Sequence, residues 1–138
     1  MDIFDFAIRH WPLVSALLVL IIILIVTEGR RVGLRFSPSS LVQAMNQDHA
    51  IVIDLRDQKL FAQGHITDSE HCSYASAKDR LPEWLKQTQS GKTIIFVDEM
   101  GTHSSTVAKM LFALGSRRHG VLQGGISTWR TQQLPLVK

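Results

Sequence analysis

Cysteine is nearly absent: Cys72 is the only one in 138 residues. A lone thiol excludes an intramolecular disulfide and any CxxC redox or metal pair, and it suits a reducing compartment. A basic stripe is missing too. The 15 Lys and Arg are scattered among 12 Asp and Glu, giving a net charge of +3, and part of the excess sits in Arg30, Arg31 and Arg35 beside an apolar block. Nucleic-acid binders gather such charge on one face with interleaved aromatics, so no nucleic-acid partner is expected. Internal repeats and low-complexity linkers are also lacking, and the length leaves room for one domain and a short appendage.

Charge is absent from Leu13 to Val26, and Leu17 through Val26 is wholly aliphatic. A buried core helix would show polar residues at helical spacing, and this block has only Ser15. A cleaved signal peptide would need a basic start and small residues before the cut. Here Asp2 and Asp5 open the chain, and Thr27-Glu28-Gly29-Arg30-Arg31 follow the block. The remaining reading is an uncleaved anchor in which residues 11–27 contact the lipid bilayer, spanning roughly 25 Å at 1.5 Å per residue. Trp11 can sit at one interface, with Arg9 and Arg30 snorkelling at the ends. Arg30, Arg31 and Arg35 outweigh Arg9, which places the carboxyl-terminal domain in the cytoplasm. The expected division is therefore an anchor and basic juxtamembrane segment over residues 1–36 and a folded domain over 37–138.

In that domain Ser37 caps a short helix predicted over Pro38–Asn46. Ala50–Leu55 is a short β-branched run that fits a buried parallel strand, and Asp57–Gln63 reads as a helix closed by Gly64. A helix follows over Ser76–Thr88, then a strand over Thr93–Val97, then a helix from the serines to Gly115. Val121-Leu122 suggests another strand, Gly124-Gly125 a turn, and Ile126–Gln133 a last helix. Strands alternating with helices imply a three-layer α/β domain with a central parallel sheet. Ligands bind beyond the carboxyl ends of such strands, which singles out the loops after Leu55 and Val97.

Ile53-Asp54-Leu55-Arg56, Phe61 and Gly64-His65-Ile66 resemble the strand-helix opening of the rhodanese family. The strand Thr93–Val97 with Gly101 and Ser104 resembles its active-site loop, and Gly124-Gly125, Trp129 and Leu134-Pro135 resemble its closing signature. The resemblance, over about Pro38–Val137, implies a rhodanese-like α/β domain preceded by one transmembrane helix, as in single-span rhodanese-like proteins of bacterial inner membranes.

The loop departs from the family where chemistry is concerned. Aligning Gly101 with the family's loop glycine puts Asp98 where the nucleophilic cysteine belongs and His103 where an arginine belongs. Thr67-Asp68-Ser69 likewise stands where proline, glycine and alanine are usual. Sulfur transfer needs a cysteine thiolate of lowered pKa in a ring of N–H donors at a helix start. A carboxylate cannot carry sulfane sulfur, and it is itself the anion that ring would satisfy. A second anion about 4 Å away would meet roughly 4 kcal/mol of repulsion at an effective dielectric of 20. Glu99 adds another negative charge, and His103 lacks arginine's permanent fork. The degenerate loop Asp98, Glu99, Met100, Gly101, Thr102, His103, Ser104 is thus read as a binding surface held by an Asp98–His103 contact, with Asp54, Arg56 and His65 as further binding residues.

Cys72 is read as a small buried apolar residue, with a sulfur-carrying role as the alternative. His65, His71, Cys72 and His103 match no standard zinc spacing, so neither metal nor cofactor is expected. Asp54 and Arg56 are read as tying down their loop, Trp84 and Trp129 as core. Ser104 and Ser105 lie too close in sequence to His103 for a nucleophile-base pair. The expectation is a membrane-anchored pseudoenzyme at the cytoplasmic face that binds another membrane or membrane-proximal protein. A sulfurtransferase or sulfur carrier using Cys72 or a partner's cysteine is the alternative.

Overall fold

The computed structural model describes residues 2–138, which divide into one compact unit ending at Arg30 and a second running over Arg31–Lys138. The first unit begins with α1 (Ile3–Arg9), an element the sequence reading did not foresee, and most of α2 (Trp11–Val32) belongs to it. At 22 residues α2 is about 33 Å long, against a hydrocarbon core of about 30 Å. It continues past the expected Thr27 through Glu28–Val32, and the Thr27 hydroxyl donates back to the Ile23 carbonyl at 2.7 Å rather than to a cap. Its apolar window is unburied, and it is long and apolar enough to cross a membrane.

The second unit is an all-parallel five-stranded sheet in the order β1-β5-β4-β2-β3, built from β1 (Leu34–Phe36), β2 (Ala50–Asp54), β3 (Glu70–His71), β4 (Thr93–Val97) and β5 (His119–Leu122). The sheet's edge strand therefore precedes Ser37, and the compact unit starts at Arg31, upstream of the expected 36/37 division. Leu34-Arg35-Phe36 alternates as a strand should, but three residues carry too little pattern to stand out from a basic juxtamembrane run.

Alternation along the central strands sorts the core into two layers. Ile53, Ile94, Phe96 and Val121 face α5 (Ala77–Gln89) and α6 (Thr102–Ala113), meeting Leu81, Trp84, Val107 and Leu111. Val52, Ile95, Val97 and Leu122 face α3 (Pro38–Asn46) and α7 (Gly125–Thr131), meeting Leu41, Ile126 and Trp129. Trp84 is fully buried and Trp129 is 3% exposed, so both are core as read. The Ser37 side chain accepts from the Ser40 amide at 3.2 Å and caps α3. The short α4 (Gln58–Gln63) returns the chain from β2 toward β3.

His119 is a buried ionisable group that the sequence reading passed over. Its Nε2 donates to the Arg31 carbonyl at 3.1 Å, which leaves Nδ1 to accept from the Ser116 hydroxyl at 3.0 Å. Burial pushes its pKa down, the Arg31 carbonyl works against this, and nearby Arg117 lowers it further. The unfolded imidazole takes up a proton near pH 6.5 while the folded one resists, so acidification from pH 7 toward 5 favours unfolding by at most about 1.4 kcal/mol per pH unit. Denaturant unfolding of the full chain in detergent micelles should show that loss, and His119→Asn should flatten it.

Candidate functional site

The carboxyl ends of β2 and β4 bring two polar groups together. After β4, Asp98 is only 5% exposed, and the chain turns at Gly101, whose φ of 102° requires the left-handed region. From there α6 begins. Its first turn points back at Asp98: the Gly101 amide donates to Oδ1 at 2.5 Å, the His103 amide to Oδ2 at 2.8 Å, and the Ser104 hydroxyl to Oδ1 at 2.8 Å. The buried carboxylate thereby occupies the donors at a helix amino terminus, whose dipole favours negative charge there. The Asp98–His103 contact read from the sequence is made by the backbone amide of His103 and not by its side chain. The imidazole is turned away and stacks on Tyr74 with centroids 4.1 Å apart.

The loop is braced from behind. Amides at the start of α7 donate to it, Ile126 to the Asp98 carbonyl at 2.9 Å and Ser127 to the Glu99 carbonyl at 3.0 Å. Gly125 permits this close approach, since a Cβ there would collide with those same two carbonyl oxygens. The Gly124-Gly125 turn read from the sequence is thus also the seat on which the loop rests.

At the end of β2, Arg56 grips Asp54 through Nε at 3.1 and 3.2 Å and Nη2 at 2.9 Å, with Nη2 also donating to the Gly64 carbonyl at 2.6 Å. Both side chains are nearly inaccessible. His71 Nε2 donates to the Arg56 carbonyl at 2.7 Å, and His65 Nδ1 donates to the Phe61 carbonyl at 2.9 Å while its ring stacks on Phe61 at 3.9 Å. Asp54, Arg56 and His65 therefore fasten the turn between β2 and β3. Replacing Arg56 by Ala would strand a buried carboxylate and a buried carbonyl, so we expect about 3–5 kcal/mol of lost stability, measured by denaturant unfolding.

Glu99 links the two loops, a tie the sequence reading missed. Its Oε1 pairs with Arg130 Nη1 at 2.6 Å, and its Oε2 lies 3.7 Å from Arg56 Nη1. Arg56 and Arg130 thus already face the protein's own Glu99, while exposed Arg35 lines a neighbouring recess with Met100, Gly101 and Thr102. Met100, 72% exposed, stands at the tip of the loop.

Cys72 lies outside this constellation. It is 6% exposed and lines an open recess with His71, Ser73, Ser76, Asp79 and Arg80, to which no residue of 98–104 contributes. Burial pushes its thiol pKa up, outweighing the Arg80 guanidinium that pulls it down, so the reactive thiolate is scarce at neutral pH. Among the described residues no group of three or more His, Cys, Asp or Glu is placed to hold a metal ion.

Comparisons with known proteins agree with this architecture. A family model for the rhodanese-like domain matches residues 37–132. The chain is 30% identical to the thiosulfate sulfurtransferase GlpE of Pseudomonas fluorescens, across 68% of this chain and 83% of that protein. It is 27% identical to YibN of Escherichia coli K12, across 99% of this chain and 97% of that one. Among solved structures, a rhodanese-related protein from Thermoplasma volcanium superposes with a TM-score of 0.63 at 20% identity, over 75% of this chain and 96% of that one. A thiosulfate sulfurtransferase from Pseudomonas aeruginosa gives 0.68 at 16% identity, over 80% of this chain and 21% of that one. With its parallel sheet, its loop after β4 and a family match over most of its length, this chain belongs to the rhodanese-like domain family.

Proposed function

We propose that this chain is a membrane-tethered rhodanese-like module without sulfur-transfer activity, which binds another membrane or membrane-proximal protein through the loop 98–104. The observation that carries the reading is the Asp98 carboxylate seated on the Gly101 and His103 amides and the Ser104 hydroxyl, where sulfur chemistry requires a thiolate. Once those donors are satisfied from within, a small anion gains nothing by entering and meets a fixed negative charge. What the loop offers to solvent is Met100 at its tip and the flat Tyr74–His103 stack. Exposed methionine and stacked rings suit a protein partner better than a small polar ligand.

The location follows from α2 and its flanks. Arg30, Arg31 and Arg35 after the helix against Arg9 before it support a cytoplasmic domain on a single-pass inner-membrane anchor. YibN of Escherichia coli K12 matches across 99% of this chain, so the likeness extends over the apolar helix as well as the domain. A photo-crosslinker at Met100 tests the binding surface in native membranes. The reading expects a discrete adduct that weakens when Tyr74 and His103 are both changed to Ala. A crosslinker at exposed Gln89, which precedes the amino end of β4, should not give that adduct. Equal labelling from both positions, or no adduct from Met100, would argue against the loop as the docking site.

A further inference from the structure

The amino-terminal helix α1 carries a segregated surface that no described residue of the protein buries. No residue of α1 is buried, and Ile3, Phe4 and Ile8 are 79%, 77% and 74% exposed. Ile3, Phe4, Ala7 and Ile8 fall on one side at one- and four-residue intervals. Asp2 at the cap, Asp5 and Arg9, spaced by three and four, fall on the other. Phe6 borders the two and lies against His10, ring centroids 4.7 Å apart.

What covers the apolar side follows from what adjoins it. A single residue, His10, separates α1 from α2, its backbone at φ −117° and ψ 30° breaking the helix, and each helix bonds to it: His10 N donates to Phe6 O at 3.0 Å and Val14 N to His10 O at 3.1 Å. With α2 in a bilayer and Trp11 at its edge, α1 is held at the headgroup level, since α2 alone already matches the hydrocarbon thickness. Asp5 and Arg9 keep α1 from entering the core, while four apolar side chains keep it from floating free in water.

We propose that α1 is an interfacial helix, lying at the membrane surface with Ile3, Phe4 and Ile8 against the acyl boundary and Asp5 and Arg9 toward water, so that the anchor is a span plus a surface float. This rests on the reading of α2 as a membrane span, and the experiment separates the two. The full chain, with Cys72 changed to Ser, is spin-labelled singly at 4, 5, 8 or 17 and reconstituted into phosphatidylethanolamine–phosphatidylglycerol vesicles. Collision with oxygen and with a water-soluble nickel chelate then reports depth. Labels at 4 and 8 should lie about 5–10 Å below the headgroup level, the label at 5 in water, and the label at 17 deep in the core. Labels at 4 and 8 as wet as that at 5, with 17 still deep, would overturn the interfacial helix and leave the span standing. A wet label at 17 would overturn both. Labels at 4 and 8 shielded from both reagents and broadened by spin–spin coupling would assign the apolar face to a second copy of the chain and overturn the lipid assignment.

Discussion

Asp98→Cys combined with His103→Arg should give a loop that takes sulfur from thiosulfate. The donors already converge: the Gly101 and His103 amides and the Ser104 hydroxyl lie 2.5, 2.8 and 2.8 Å from the present carboxylate. A thiolate in the same seat would be stabilised by those donors and by the start of α6, which lowers thiol pKa values to about 3.5–7.5 in comparable surroundings. Arginine at 103 can stack on Tyr74 as the imidazole does and adds a permanent charge to draw in an anion. The thiolate then attacks the outer sulfur of thiosulfate, the S–S bond breaks, sulfite leaves with the bonding pair, and a persulfide remains on residue 98. Intact-mass measurement should move from no added sulfur to near-stoichiometric addition at that position. A folded variant whose residue 98 stays unmodified would show that the seat built for a carboxylate does not serve a thiolate.

The second large effect is on stability. Asp98→Ala removes the acceptor from two amides and a fully buried hydroxyl at once. Orphaned buried donors cost about 1–3 kcal/mol each and a lost helix cap about 1 kcal/mol, partly relieved by water entering the gap. A net loss of about 3–5 kcal/mol is expected in denaturant unfolding. Asp98→Asn keeps one acceptor oxygen but turns an NH2 toward one of the donors, so its loss should be smaller, about 1–3 kcal/mol. A carboxylate that merely filled space would give two variants of equal and small effect.

How much of this could be read from residues alone depended on distance along the chain. The strands Ala50–Asp54 and Thr93–Val97 announce themselves by β-branched runs, and Ser37-Pro38 by cap chemistry, so the parallel α/β order was legible. That Asp98 stands where the family resemblance implies a cysteine was legible because loop spacing is local. Its bonding was only half so, since periodicity does not say whether the amide or the ring of His103 turns inward. The Glu99–Arg130 pair, 31 residues apart, and the seating of Gly125 under the loop are properties of the folded backbone. The edge strand Leu34–Phe36 and the helix Ile3–Arg9 went unread because one is only three residues long and the other is overshadowed by the apolar block beside it.

The relatives named as thiosulfate sulfurtransferases set the contrast that gives the loop its meaning. In this chain the sheet, the turn at Gly101 and the helix that follows surround the Asp98 carboxylate, where the family resemblance implies a thiol. Intact-mass and peptide measurement of the unmodified chain after thiosulfate treatment tests that change most directly. The account expects no sulfur added anywhere on the wild-type chain, Cys72 included. Sulfane sulfur accumulating stoichiometrically on Cys72 would contradict it.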